Sequence, residues 1–121
     1  MIFLDDLVKN TLKESKELKD MLGSNIYYPN EPVSPNTYNA IIYGEVSNVP
    51  AFGADEEEKT SRITYQITIY REKELTQTMN IVEKLMKSIN FIRHSTQPVD
   101  GELPAGVKGR KILFIIEVEV Y

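Results

Sequence analysis

The chain has 121 residues, no cysteine and a formal net charge of −4 at pH 7. This length suits one domain with its own core, and the lack of cysteine excludes disulfides and thiolate chemistry. The acidic balance argues against tight binding of nucleic acid, which needs clustered lysine and arginine. No run of about 18 apolar residues is present to span a membrane, and the acidic start MIFLDDLVK is unlike a signal peptide. We therefore expect a soluble protein that is not exported.

The first predicted element is a helix from Ile2 to Leu22. Acidic residues near its start and basic residues near its end suit the helix dipole, and Gly23 can take the left-handed conformation that ends a helix. Its apolar residues recur at spacings of three and four, as on one face of an amphipathic helix; they are Phe3, Leu4, Leu7, Val8, Leu12, Leu18, Met21 and Leu22. One continuous helix is predicted.

A proline-rich connector, NIYYPNEPVSPNTY, follows the helix. Proline fixes its own backbone angle and pushes the preceding residue towards an extended conformation. The connector should therefore be extended. Tyr27, Tyr28 and Tyr38 within it are predicted to be buried on one side, with their hydroxyls reaching a partner or water.

Two strands are predicted next, Ala40 to Val46 and Arg62 to Arg71. In the second strand, apolar and polar residues alternate with a period of two; the apolar set is Ile63, Tyr65, Ile67 and Ile69. Residues 47–61 contain Pro50, Gly53 and a run of acids, too polar and too broken for either period. We expect a long, mobile hairpin loop there, beyond the usual length for a small domain.

The second strand passes directly into a helix from Glu72 to Ile89, whose apolar stripe includes Leu75, Met79, Val82, Met86 and Ile89. A short strand from Phe91 to Thr96, a mobile loop of residues 97–109 and a long strand from Arg110 to Tyr121 complete the chain. At about 3.3 Å per residue the last strand spans roughly 40 Å, so it should overhang the core or continue a sheet into a neighbouring subunit.

This order of elements, α-β-β-α-β-β, predicts one α+β domain over residues 1–121. Its sheet should be mixed but mostly antiparallel, with two helices packed on it.

No residue pattern predicts catalysis or a bound cofactor. His94 is the only histidine, which leaves Ser-His and zinc chemistry without partners. The segment Gly101 to Gly109 approaches a phosphate-binding loop but has Val107 where that loop needs lysine, and a strand rather than a helix follows it. The acids Asp55 to Glu58 are consecutive and lack the alternating spacing of a calcium loop. We expect no enzyme, no metal and no cofactor.

The chain resembles the tail terminator, or tail-completion, family of long-tailed bacteriophages and related prophages. The resemblance covers almost the whole chain. It is carried by the helix ending in Leu22-Gly23, by Ile26-Tyr27-Tyr28-Pro29 and Pro32 in the connector, by Tyr38 and Ile41 to Tyr43, by the strand Ile63 to Tyr70 with the helix behind it, and by the long terminal strand.

The resemblance implies a structural role without catalysis. It implies a ring of subunits, commonly a hexamer, that caps the tail tube and joins the tail to the head-neck complex. The implied partners are other copies of the chain, the tail-tube protein and the head-neck or connector proteins, with no membrane and no tightly bound nucleic acid. The implied location is the virion, after synthesis in the bacterial cytoplasm.

The working surface is expected in the loops and at the end of the last strand. The candidate subunit or partner contacts are Phe52, Asp55, Glu56, Glu57, Glu58, Gly106, Glu119 and Tyr121. Two other classes of function stay open at this point. One is a ferredoxin-like binding or regulatory module, and the other is a different neck or tail subunit of a phage particle.

Overall fold

The computed structural model describes residues 3–30, 39–52 and 58–119, and the side chains of residues 51, 52, 58 and 59 are outside the described part. Within these residues the chain forms one small α+β domain of three helices and five strands. In chain order they are α1 (Asp5–Lys13), α2 (Lys16–Leu22), β1 (Ile26–Tyr27), β2 (Ala40–Phe52), β3 (Glu58–Arg71), α3 (Leu75–Ser88), β4 (Ile92–Pro98) and β5 (Lys108–Glu119).

The five strands form one mixed sheet in the order β1-β2-β3-β5-β4. Only β1 and β2 are parallel, and every other pair is antiparallel. The central strand, β3, pairs with β2 between Glu58 and Tyr70 and with β5 from Thr60 to Arg71. The predicted α+β class and the mostly antiparallel sheet are confirmed, whereas the predicted element order lacked α2 and β1.

The hydrophobic core lies between the three helices and one face of the sheet. Its members are buried and come from every helix and from β1, β2, β3 and β5; they are Val8, Leu12, Leu18, Leu22, Ile26, Ile41, Tyr43, Ile63, Tyr65, Ile67, Ile69, Val82, Met86, Phe91, Ile112, Phe114 and Ile116. At its centre the rings of Tyr65 and Phe91 meet edge to face, with centroids 5.6 Å apart. The predicted buried face of the second strand is confirmed.

The predicted first helix is in fact two helices. α1 ends at Lys13, and Ser15 has an extended backbone (φ −67°, ψ 118°) and accepts a hydrogen bond from the Leu18 amide, so it caps α2. Serine favours this position because its hydroxyl satisfies an amide that the helix leaves unpaired. The apolar spacing did not reveal the break because both helices bury residues of the same stripe. Gly23 follows α2 with a positive φ of +61°, but its ψ of −126° lies outside the left-handed helical conformation that was predicted.

The predicted loop of residues 47–61 is mostly strand. β2 continues to Phe52 and β3 begins at Glu58, and the two strands stay paired up to these residues. The register shifts between Glu45 and Ser47 and again near Phe52, as in a β-bulge. A register shift changes which face of the sheet the following side chains lie on. The apolar and polar residues of this segment therefore do not alternate with a period of two, and the sequence did not predict a strand here. Residues 53–57 lie outside the described residues.

The junction between β3 and α3 is held by a buried arginine. The Arg71 guanidinium donates to the carbonyls of Met21 and Lys73, each at 3.0 Å, and so joins the end of β3 to α2. Glu74 is left-handed (φ +61°), and α3 begins at Leu75 rather than at the predicted Glu72. The short strand after α3 is confirmed as β4, and the terminal strand as β5, which begins two residues earlier than predicted.

Candidate functional site

The sheet has a second face that no described helix covers, and we call it the open face. Directly paired residues of neighbouring strands lie on the same face. The pairs Arg62↔Glu117, Thr64↔Ile115 and Ile92↔Ile115 alternate with the buried core pairs and therefore lie on the open face.

One end of the open face is covered by the chain itself. Gly44 of β2 lies under the ring of Pro29, whose Cγ would be 2.2 Å from a Cβ at this position. Gly109 of β5 lies in the same way under Val99. Pro29 and Val99 thus cover part of this end of the open face.

The uncovered end contains a groove of about 470 Å³, which we call the β4–β5 groove. It is lined by Arg62, Ile92, Arg93, His94, Ile115 and Glu117. Ile92 is 70% exposed, although isoleucine is among the residue types most often buried. Its cross-strand neighbour Ile115 is half-buried, so two isoleucines form an apolar floor.

Two ion pairs lie beside the β4–β5 groove, one on each face of the sheet. Arg62 and Glu117 are on the open face, whereas Arg93 is paired with the core residue Phe114 and so lies on the helix face. Arg62 donates to one carboxylate oxygen of Glu117 through Nε (3.0 Å) and Nη2 (2.7 Å). Arg93 contacts Glu83 of α3 at 3.3 Å. All four side chains contact solvent, and such ion pairs add little to stability. The groove itself is lined by two arginines and one glutamate, in a chain whose net charge is −4.

The β2–β3 hairpin extends beyond the core. On β3 the buried residues begin at Ser61, and on β2 the residues beyond Gly44 are half-buried or exposed up to Pro50. Val46 and Val49 are 57% and 47% exposed. Residues 45–50 of β2 therefore add little to the buried core, and they stay paired with β3.

The structure separates the predicted contact residues into two groups. Phe52 and Glu58 face each other as the last pair of the hairpin, and Glu119, which is exposed, pairs with Thr60 near the same end. Gly106 is exposed in the β4–β5 loop with φ +84°, at the opposite end of the sheet. The remaining predicted residues, Asp55, Glu56, Glu57 and Tyr121, lie outside the described residues.

Sequence reasoning missed the residues of the β4–β5 groove. The signal was present at Phe91 and Ile92, since two neighbouring residues of an extended chain point to opposite faces. Phe91 fills the core, so Ile92 had to face outwards. Arg93 and His94 were treated as interruptions of a strand, although they line a surface groove.

A polar cluster lies at the start of α1. The Asp5 carboxylate accepts hydrogen bonds from the hydroxyls of Tyr28 (3.1 Å) and Tyr65. Burial, together with the hydrogen bond to Asp5, raises the pKa of the Tyr65 phenol well above its usual value. The hydrogen bond to Asp5, followed by burial, raises the pKa of Tyr28. Both phenols therefore stay protonated at neutral pH and donate to Asp5, and these hydrogen bonds join the start of α1 to Tyr28 and to β3.

The other surfaces offer little chemistry. A cavity of about 440 Å³ lies where α2 meets β1, beside Lys13, Lys19, Gly23, Ser24 and Ile26. Among residues 3–30, 39–52 and 58–119, no three histidine, aspartate or glutamate side chains are close enough to hold a metal ion. None of the helices in the described part has the length and apolar character to span a lipid bilayer.

Comparison with known proteins finds a likeness at the level of structure. No family model matches the chain, and no curated protein sequence matches it. Among solved structures, a chain of the structure titled "Virion of native gene transfer agent (GTA) particle" is similar, with a TM-score of 0.62 and 15% sequence identity. The match covers 93% of this chain and 92% of that chain. The two chains therefore share one fold over nearly their full lengths.

Proposed function

We propose that this protein is a structural subunit of a bacteriophage-like virion. The observation that carries this proposal is the shared fold with a chain of a gene transfer agent virion, which extends over 93% of this chain and 92% of the other. Because the match covers nearly all of both chains, the counterpart in that particle is a whole domain and not a short shared motif. The role is one of assembly, without catalysis or a cofactor.

Within the virion, the role that fits best is that of a tail terminator. The sequence resemblance to that family supports this finer assignment. A terminator caps the tail tube as a ring, for example a hexamer, and joins the tail to the head-neck complex. Its partners are then other copies of itself, the tail-tube protein and the connector proteins.

The surfaces of the subunit suit a ring. A closed ring joins two different patches of each subunit head to tail. The paired ends of β2 and β3 and the β4–β5 groove are the two surfaces that we assign to these patches. A ring on a tail tube must also let DNA pass, and a chain of net charge −4 has no excess of cations to hold phosphates.

Purified protein and purified tail tubes from the same phage or prophage provide the test. Light scattering and negative-stain images should show rings, or single rings on one end of each tube, and tubes with a ring should stop growing when tube subunits are added. Growth of the protein into long tubes would indicate a tube subunit instead. A protein that forms no ring and leaves tube ends bare would contradict the proposal.

A further inference from the structure

We propose that the outer edge of β4 in one copy of this chain pairs with the outer edge of β2 in a second copy, so that the sheet continues from one subunit into the next. This inference deepens the proposed function, on which it rests, by naming the two strand edges through which the subunits of a ring meet. It depends on the order of the strands, on their directions and on the side chains that the two edges carry.

The sheet leaves a strand edge on each side. β4 is the last strand on one side, and none of its seven residues is buried. On the other side, β1 pairs with β2 at Ile41 and Ile42, and Pro29 lies over Gly44. Within the described part of the chain, no strand pairs with this outer side of β2 beyond Ile42. Edges of this kind are a template for a strand of another chain.

The directions of the strands suit a contact between these two edges. β2 is antiparallel to β3, β3 to β5, and β5 to β4, so β4 runs opposite to β2. A rotation that places one subunit beside the next in a ring, with the helices on the same side of the sheet, does not reverse the strands. The β4 strand of one subunit therefore meets the β2 strand of its neighbour in the antiparallel sense, which is the more stable form of pairing.

Exposed apolar side chains mark both edges. Among the described residues five large apolar side chains are exposed, and three of them lie on these strands, Ile92 on β4 and Val46 and Val49 on β2. Ile92 lies on the open face, opposite Ile115. Val49 lies on the same face, opposite Arg62. A register that places Ile92 opposite Val49 gives the joined sheet an apolar cross-strand pair, and such pairs stabilise a sheet.

The charges of the two strands are complementary. β4 contains Arg93 and no acid, whereas β2 contains Glu45 and neither lysine nor arginine. Arg93 is paired with the core residue Phe114 and so lies on the helix face. Glu45 is paired with the core residue Tyr65 and lies on the helix face as well. The two charged side chains are therefore on the same face of the joined sheet.

The register of the apolar pair also brings these charges together. Arg93 then lies opposite Asn48, whose side-chain amide donates to Glu45 at 3.2 Å. A diagonal neighbour across two strands is within reach of a long side chain. Arg93 already contacts Glu83 at 3.3 Å and is about half exposed, but a guanidinium has five N–H donors and can donate to a second carboxylate.

Pairing of like edges brings together strands of like charge. Two β4 strands each carry an arginine and no acid, and two β2 strands each carry a glutamate and no arginine or lysine. Only the pairing of β4 with β2 joins unlike charges. Each subunit then uses both of its edges, and such heterologous contacts generate a ring when the rotation closes.

Disulfide crosslinking tests the contact and its register. The chain has no cysteine, and Val49 and Ile92 are exposed, so cysteine can replace either residue without disturbing the core. Within one chain β3 and β5 lie between the two positions and separate them by about 14 Å, which is too far for a disulfide. An oxidised mixture of Val49→Cys with Ile92→Cys should give a linked dimer. The control mixture, Val49→Cys with Lys84→Cys on an exposed helix position, should give much less.

The chain that carries both Val49→Cys and Ile92→Cys should give a series of linked oligomers, because each copy then bonds to two neighbours. No dimer in the first mixture, or equal yields in the two mixtures, would overturn the proposal. A strong dimer from Ile92→Cys alone would overturn it as well, because that result indicates pairing of β4 with β4 around a two-fold axis.

Charge reversal tests the electrostatic part of the proposal. Arg93→Glu and Glu45→Arg should each weaken self-association by about tenfold or more, because each places like charges across the contact. The chain with both substitutions should recover much of the association, since the charges are complementary again. The matched controls, Lys84→Glu and Glu102→Arg, change the net charge equally at exposed positions and should associate like the original chain. Equal association of all these variants in sedimentation velocity would contradict the inferred contact.

The two proposals fail separately. If rings cap tail tubes but the crosslink and the charge reversals have no effect, the subunits meet through other surfaces and the terminator role stands. If the crosslink forms but the protein ignores tail tubes, the contact stands and the terminator role is wrong.

Discussion

At the scale of single residues, the contact between Tyr65 and Asp5 joins the core to the first helix. Tyr65 is fully buried in the sheet, and its hydroxyl donates to the carboxylate at the start of α1. The substitution Tyr65→Phe removes this donor and keeps the ring, so the free energy of unfolding should fall by about 1–2 kcal/mol. Urea unfolding measures this change in the free energy of unfolding. Tyr27→Phe, which removes a hydroxyl bonded to the side chain of Asn25, is the control and should lose less; equal losses would contradict a special role for Asp5.

The raised pKa of Tyr65 predicts a loss of stability in alkaline solution. In the unfolded chain a tyrosine loses its proton near pH 10, whereas folded Tyr65 keeps its proton to higher pH. Above pH 10 the folded state therefore binds more protons, so the contribution of Tyr65 is complete below that pH and declines as the pH rises. Urea unfolding between about pH 9 and 11 should show a steeper decline for the original chain than for Tyr65→Phe. Identical slopes would mean that Tyr65 does not titrate differently on folding.

The packing of Gly44 under Pro29 predicts a second effect of one residue. The Cβ of alanine would lie 2.2 Å from the Pro29 ring, which is rigid and must move. Gly44→Ala should therefore cost about 1–3 kcal/mol of stability. Gly109→Ala is the matched control, because its closest neighbour, at 2.8 Å, is the end of the Val99 side chain. A smaller loss for Gly44→Ala than for Gly109→Ala, measured by thermal or urea unfolding, would contradict this account.

At the scale of elements, the break between α1 and α2 depends on one side chain. Ser15 accepts a hydrogen bond from the Leu18 amide at 3.3 Å and so caps α2. Ser15→Ala should lower the free energy of unfolding by about 1 kcal/mol, whereas Ser15→Asp keeps an acceptor and should stay close to the original chain. Urea unfolding of Ser15→Ala and of Ser15→Asp measures the two losses of free energy. Equal losses would show that the cap contributes nothing.

The elements that could be predicted from the sequence are those that build the core. β3 and α3 bury regular apolar stripes, so their periods of two and about three and a half are visible. Residues 47–52 have no such alternating pattern of apolar residues. The pairing of β2 with β3 up to Phe52 and Glu58 could therefore not be predicted from hydrophobicity. The pairing of β3 with β5 was also hidden, since it joins residues about 40 to 60 positions apart. The β4–β5 groove depends on the pairing of β5 with β3 and β4, so it was not predicted, although the sequence contains the residues that line it.

At the scale of the whole molecule, the two faces of the sheet differ in what covers them. The helices pack on one face of the sheet, and Pro29 and Val99 cover part of the other face. The β4–β5 groove lies on this other face, at the end that carries Arg62 and Ile92. The proposed role in a virion would use surfaces of this kind for contacts with other subunits.

Immunogold labelling of intact particles tests the central claim most directly. Antibodies against this chain, applied to virions produced by the phage or prophage that encodes it, should label one position, the junction of the tail with the head-neck complex. Antibodies against the tail-tube protein provide the control for access to the tail. Particles without label, or label distributed along the tube, would contradict the assignment as a tail terminator.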